Sequence, residues 1–81
     1  MARKMLADLK TAWDRGEPWS PNTQARRDGR YATYNLAKAY DVKPAEVAAL
    51  LTEWARLHII TFRERVTRKH SAGFEVTGGL D

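Results

Sequence analysis

The chain has 81 residues, no cysteine, and a formal net charge of +4 from 14 Lys and Arg against 10 Asp and Glu. That length holds one small domain, the missing thiols exclude a disulfide or a thiolate metal site, and no apolar run reaches the ~20 residues of a membrane span. The basic balance points to a polyanionic partner. The opening MARKMLADLK lacks the uninterrupted apolar stretch of a signal peptide, so a cytoplasmic protein without a cofactor is expected.

Taken in chain order, LADLKTAWDRG reads as an amphipathic helix over about 3–15, with Met5, Leu6, Leu9 and Trp13 on one stripe. Gly16 suits its C-terminal cap, and Arg15 suits the negative end of its dipole. EPWSPN then ends the helix, since two prolines in four residues cannot continue it. Trp19 in this loop is expected to fold back over the core. The polar NTQARRDGR predicts a loop or a short helical turn.

RYATYNLAKAY predicts a second helix over about 30–40, with Ala32, Leu36 and either Ala39 or Tyr40 on its inner face. Asp41, Val42 and Lys43 interrupt the pattern, and Pro44 opens a third helix, where its missing N–H is no loss. Glu46 suits the positive end of that helix dipole. Val47, Leu50, Leu51, Trp54 and Leu57 recur at helical spacing, which carries the helix over about 44–58. The period then changes. IITFRERV alternates, with Ile60, Phe62 and Val66 on one face and Thr61, Arg63 and Arg65 on the other, as in a strand with an exposed basic side. TRKHSAG reads as a hairpin loop and FEV as the returning strand, giving a hairpin over about 59–77, and TGGLD reads as a frayed tail.

The order is helix, helix, turn, helix, hairpin: a mainly α domain with a small β-hairpin, spanning 1–81 as one unit. The stretch LAKAYDVKPAEVAALL resembles the helix-turn-helix motif. Ala37 takes the small-residue position where two helices cross, and Tyr40 the apolar place before the turn. Asp41 stands where the motif usually has Gly, a mild departure because Asp tolerates the left-handed backbone region. Val42 plugs the turn into the core, and Val47 and Leu50 match the apolar positions of the second motif helix. With the hairpin behind it, most of the chain resembles a winged helix-turn-helix DNA-binding domain.

That resemblance implies a third helix in or beside the major groove and a wing on phosphates or the minor groove. The positions it turns to the groove are Lys43, Ala45, Glu46, Ala49, Glu53 and Arg56, few of which suit bidentate base contacts. The cations lie elsewhere. Arg26, Arg27 and Arg30 precede the second helix, beside Tyr34, and Arg63, Arg65, Arg68, Lys69 and His70 lie on the wing. Double-stranded DNA held mainly through its backbone phosphates is the expected partner, in transcription regulation or in phage or plasmid replication. The small, acidic outer face of helix three equally suits a protein partner in a replication or regulatory assembly. A homodimer through helix one or a face of helix three stays open.

SPNTQARRDGRYATYNLAKAYDVKPAEVAALLTEWARLHII is loosely similar to a tail region of plasmid and phage RecA-like replicative ATPases, which implies a replication ATPase as a further partner. Catalysis finds no foothold. His58 and His70 form no metal-binding spacing, and Gly78-Gly79 precedes no helix that would cradle a phosphate. His58, ending a helix, is read as structural, and the tryptophans as core.

Overall fold

The computed structural model describes residues 2–66 and 70–79, without the side chains of 65, 66, 70 and 71. Helix α1 runs Ala2–Asp14, a six-residue 3-10 segment follows at Thr23–Asp28, and α2 (Ala32–Tyr40) and α3 (Pro44–Arg56) lead into strands β1 (Ile60–Val66) and β2 (His70–Val76). The chain is thus mainly helical with one antiparallel hairpin, in which Ile60 pairs with Val76, Phe62 with Phe74 and Val66 with His70. No described helix is long and apolar enough to cross a membrane.

The apolar stripes converge on one core, although Trp13, expected there with the other tryptophans, is half-buried at the end of α1 and outside that cluster, with Ala12 buried beside it in sequence. Met5 and Leu9 of α1, Ala32, Leu36 and Ala37 of α2, and Val47, Leu51 and Trp54 of α3 are buried together with Ile59, Ile60 and Phe74 from the hairpin's base. Leu6, Trp19, Tyr40, Val42 and Leu50 pack against that cluster half-buried, so Trp19 does fold back over it. Ala37, a small side chain, is buried in the same cluster.

The four helical segments end in one way. Gly16 (φ 80°), Gly29 (φ 68°), Asp41 (φ 53°) and His58 (φ 59°) all adopt the left-handed region. In each case the next amide reaches back to the last turn: Glu17 N–H donates to Ala12 O at 3.1 Å, Arg30 to Ala25 at 2.9 Å, Val42 to Ala37 at 3.0 Å and Ile59 to Trp54 at 2.9 Å. These are Schellman-type closures, which satisfy carbonyls that a helix end otherwise leaves open. Two of them use glycine, as the motif prefers, while Asp41 and His58 hold the conformation against Cβ crowding. His58, expected to end α3, closes it in this left-handed conformation.

Four expectations shift. Helix α3 stops at Arg56, so Leu57 leaves the helical phase (φ −87°, ψ 3°) and becomes 50% exposed instead of joining the stripe. Phe62 shares a hairpin face with Ile60 but is 49% exposed, because the helices cover only the hairpin's base and reach Ile60 and Phe74. Of the two alternatives for the inner face of α2, Tyr40 takes the place and Ala39 is exposed, as one of them allowed. The returning strand starts at His70 instead of Phe74, and the segment after it is pinned: Thr77 and Gly78 N–H groups both donate to Ile59 O, at 2.9 and 3.0 Å.

The loop between α1 and α2 is tied on both sides. At its base Ser20 N–H donates to Arg30 O (2.7 Å) and Ala32 N–H to Ser20 O (2.9 Å), which closes 20–32 into a compact loop holding the 3-10 segment. On the hairpin side Phe74 N–H donates to Trp19 O at 2.8 Å. Gly73 permits this approach, since a Cβ there would lie 2.6 Å from both Pro18 Cβ and Trp19 O.

Candidate nucleic-acid interface

The sequence-predicted cations fall into three groups in space. The first is built into the scaffold. Arg30 is largely buried, its Nη1 donating to Pro18 O at 2.9 Å and to Ala72 O at 3.4 Å, with Nη2 3.6 Å from the Asp28 carboxylate. It clasps the loop to β2, its Nη1 committed to two backbone carbonyls instead of to an outside anion.

The second group is matched by acids. Arg56 donates through Nε to Glu53 Oε2 at 3.0 Å and through Nη2 to Oε1, a bidentate pair one turn apart on α3. This hydrogen bonding holds the Glu53 carboxyl below its ordinary value of 4.5 and raises Arg56 in turn. Arg63 donates to Glu75 Oε1 at 2.6 Å across the hairpin. Exposed pairs of this kind add little stability, but each cation is locally neutralised.

The third group has no ion pair with a described carboxylate: Arg26, Arg27 and Lys43 from the predicted set, and Lys38, which the sequence reading passed over. The Arg26 guanidinium lies over the Tyr34 ring, 4.4 Å from its centroid, and Tyr31 sits 5.0 Å from Tyr34. Lys38 follows Tyr34 by one turn on the exposed side of α2, and Lys43 is the N-cap of α3. Of the wing cations, Arg68 and Lys69 lie outside the described residues. Arg65 and His70 are described only by backbone, paired with Ser71 and Val66.

Two surface grooves join these parts. A wide one of about 900 Å³ runs between the 3-10 segment and β2, lined by Ser20, Asn22, Arg26, Arg27, Arg30 and Ala72 among others. A second, of about 540 Å³, runs along α2 to the start of α3, past Tyr31, Tyr34, Asn35, Lys38 and Pro44. Arg26 lines both, so the two grooves adjoin at its side chain, and together they are the trench that lies between the hairpin and the third helix. Asp28 is the only carboxylate among the residues lining it. The face of α3 beyond the trench is different: Ala45, Glu46, Ala49 and Glu53 are all exposed there.

Comparison with family models, curated proteins and solved structures finds no match. The functional reading therefore rests on the chain's own geometry. The described residues hold no cluster of three or more His, Cys, Asp or Glu in reach of a metal ion. What the trench offers is a row of cationic and aromatic groups on a loop closed at its base, suited to an extended anion.

Lys38 was legible in principle. On a helix that begins near Ala32, positions 34 and 38 fall on one face, but a single lysine outside the Arg-rich runs adds no compositional signal. Arg30's inward turn was not legible, because its acceptors lie 12 and 42 residues away.

Proposed function

We propose that the protein is a winged helix-turn-helix module that binds double-stranded DNA, chiefly through backbone phosphates, in transcription regulation or in phage or plasmid replication. The observation that carries the proposal is the trench: Arg26, Arg27 and Lys38 line it without ion pairs to described carboxylates, and Lys43 stands at its far end. The left-handed Asp41 between α2 and α3 and the hairpin after α3 support the winged helix reading. Phosphate contacts fix position without reading sequence. The small residues and glutamates on α3 favour a helix that sits against the duplex with modest base readout.

Titration of duplex DNA at increasing salt tests this. Each phosphate neutralised contributes a slope of about −0.9 in log affinity against log salt. The triple substitution Arg26→Ala, Arg27→Ala, Lys38→Ala is expected to flatten the slope by roughly 2–3 while leaving the fold intact. Absence of binding even at low salt overturns the proposal.

A second reading, a winged helix that docks a protein partner in a larger assembly, draws on an apolar groove of about 250 Å³ lined by Ala2, Met5, Val42, Val47 and Leu50 beside Glu46. It predicts that Ala49→Glu or Glu53→Arg abolishes activity while the trench substitutions leave it intact.

A further inference from the structure

We infer that the α2 half of the trench is a seat for one unpaired nucleotide of a DNA strand, its base against the Tyr31–Tyr34–Arg26 row and its phosphate toward Lys38. This rests on the DNA-binding reading above and adds to it a preference for junctions between duplex and single strand.

Three observations carry the inference. First, the row is built and open. Tyr31, Tyr34 and the Arg26 guanidinium follow one another at 5.0 and 4.4 Å, yet Tyr34 remains 44% exposed. The ring is therefore reachable from solvent while Tyr31 and Arg26 hold it in place. Tyrosine rings and guanidinium planes are the groups on which unpaired bases stack.

Second, the groove has the size and the polar groups for a nucleotide. Its volume of about 540 Å³ falls within the range typical of small-ligand sites. Asn35 is held in place by its Nδ2 donating to Gly29 O at 2.9 Å. That leaves its Oδ1 without a donor among the described residues, free to accept from a base's exocyclic amine or ring N–H. The Tyr34 hydroxyl likewise has no described partner.

Third, the cation is placed beside the ring. Lys38 lies one turn beyond Tyr34 on the same helix and lines the same groove, without an ion pair to a described carboxylate. A base-stacking surface with an adjacent ammonium is the pairing that single-strand binders use along a strand. A fully paired duplex keeps its bases stacked internally, so it can fill the phosphate positions of the trench but not the tyrosine row.

The experiment compares a blunt duplex with the same duplex bearing a short single-stranded tail that carries 2-aminopurine, at one fixed low salt concentration. The expected result is binding about tenfold tighter for the tailed molecule, in the range that stacking of one base provides, together with quenching of the 2-aminopurine. An abasic site in place of the unpaired base is expected to erase the difference. Tyr34→Ala is expected to bring the tailed-to-blunt ratio to about one, and Tyr34→Phe to preserve it. Equal affinity for blunt and tailed DNA, or an advantage that survives Tyr34→Ala, overturns the inference while leaving duplex binding standing. Failure to bind either DNA overturns the duplex reading itself. Free deoxyadenosine monophosphate binding as tightly as the tail assigns the seat to a soluble nucleotide and overturns the strand assignment.

Discussion

His58 closes α3 in a conformation that costs an L-residue roughly 1–2 kcal/mol. Glycine would remove that strain but lose more freedom on folding, a partial offset of about 0.5–1 kcal/mol. His58→Gly is therefore expected to stabilise the fold by about 0.5–1 kcal/mol, a rise of a few degrees in Tm for a domain this small. A fall in Tm on thermal denaturation would show that the imidazole contributes a contact that outweighs the strain. A second residue-scale prediction concerns Tyr40, whose hydroxyl donates to Asp8 Oδ2 at 2.5 Å and so ties α2 to α1. That hydrogen bond to a carboxylate raises the phenol above its ordinary 10.0, because ionised tyrosine would lose the bond and face a like charge. A raised pKa in the folded state means the contribution is complete below the unfolded value and is lost as pH climbs through the folded one. Urea midpoints of the parent and Tyr40→Phe are thus expected to differ at neutral pH and to converge above pH 10. A gap that persists unchanged into strong alkali would rule this account out.

At the scale of elements, the hairpin and α3 each offer a test. Gly73→Ala would force β2 away from Pro18 and Trp19, where a Cβ has only 2.6 Å. Overpacking of this kind costs about 1–3 kcal/mol, and loss of amide-exchange protection at Phe74 would localise the damage. On α3, Glu53 holds Arg56 in a bidentate pair. If α3 lies beside a duplex, Glu53→Gln removes a repelling charge and releases a cation. DNA affinity is then expected to rise several-fold at low salt, with a slope steeper by about 0.9 if the freed Arg56 meets a phosphate. If α3 docks a protein through its acidic face, the same change weakens that partner instead. The elements themselves were legible in the sequence because their determinants are local. Spacing of apolar residues, Pro44 at a helix start and Gly16 at a helix end each act within one or two turns. Leu57 and Phe62 were misread because their exposure depends on where the core stops, which no local period encodes.

For the molecule as a whole, the candidate site was half legible. The Arg-rich segment before α2 was visible, and Arg26 and Arg27 do line the trench. What the sequence could not separate were cations of identical type with different fates: Arg30 turned to backbone carbonyls, Arg56 and Arg63 matched by glutamates, Arg26 laid on a tyrosine. Those fates depend on residues brought together by the fold. The net charge of +4 therefore understates how unevenly positive potential is arranged. A charge-scanning series follows at this scale. Alanine at Arg27 or Lys38 is expected to lower duplex affinity and flatten its salt slope by about 0.9 each, whereas Arg30→Ala is expected to lower Tm first. Equal effects of all three on the slope would return Arg30 to the binding surface.

The tie between Trp19 and Phe74 also governs how the protein avoids its own kind. A two-stranded ribbon has two free margins, each able to recruit a strand from another molecule. Here the middle of the β2 margin is occupied, its Phe74 amide and Ala72 carbonyl being engaged by Trp19 O and Arg30. The strand at the other margin, β1, carries Arg63-Glu64-Arg65, charged at three successive positions. A strand approaching that margin must desolvate or oppose those charges, which disfavours self-stacking into fibres.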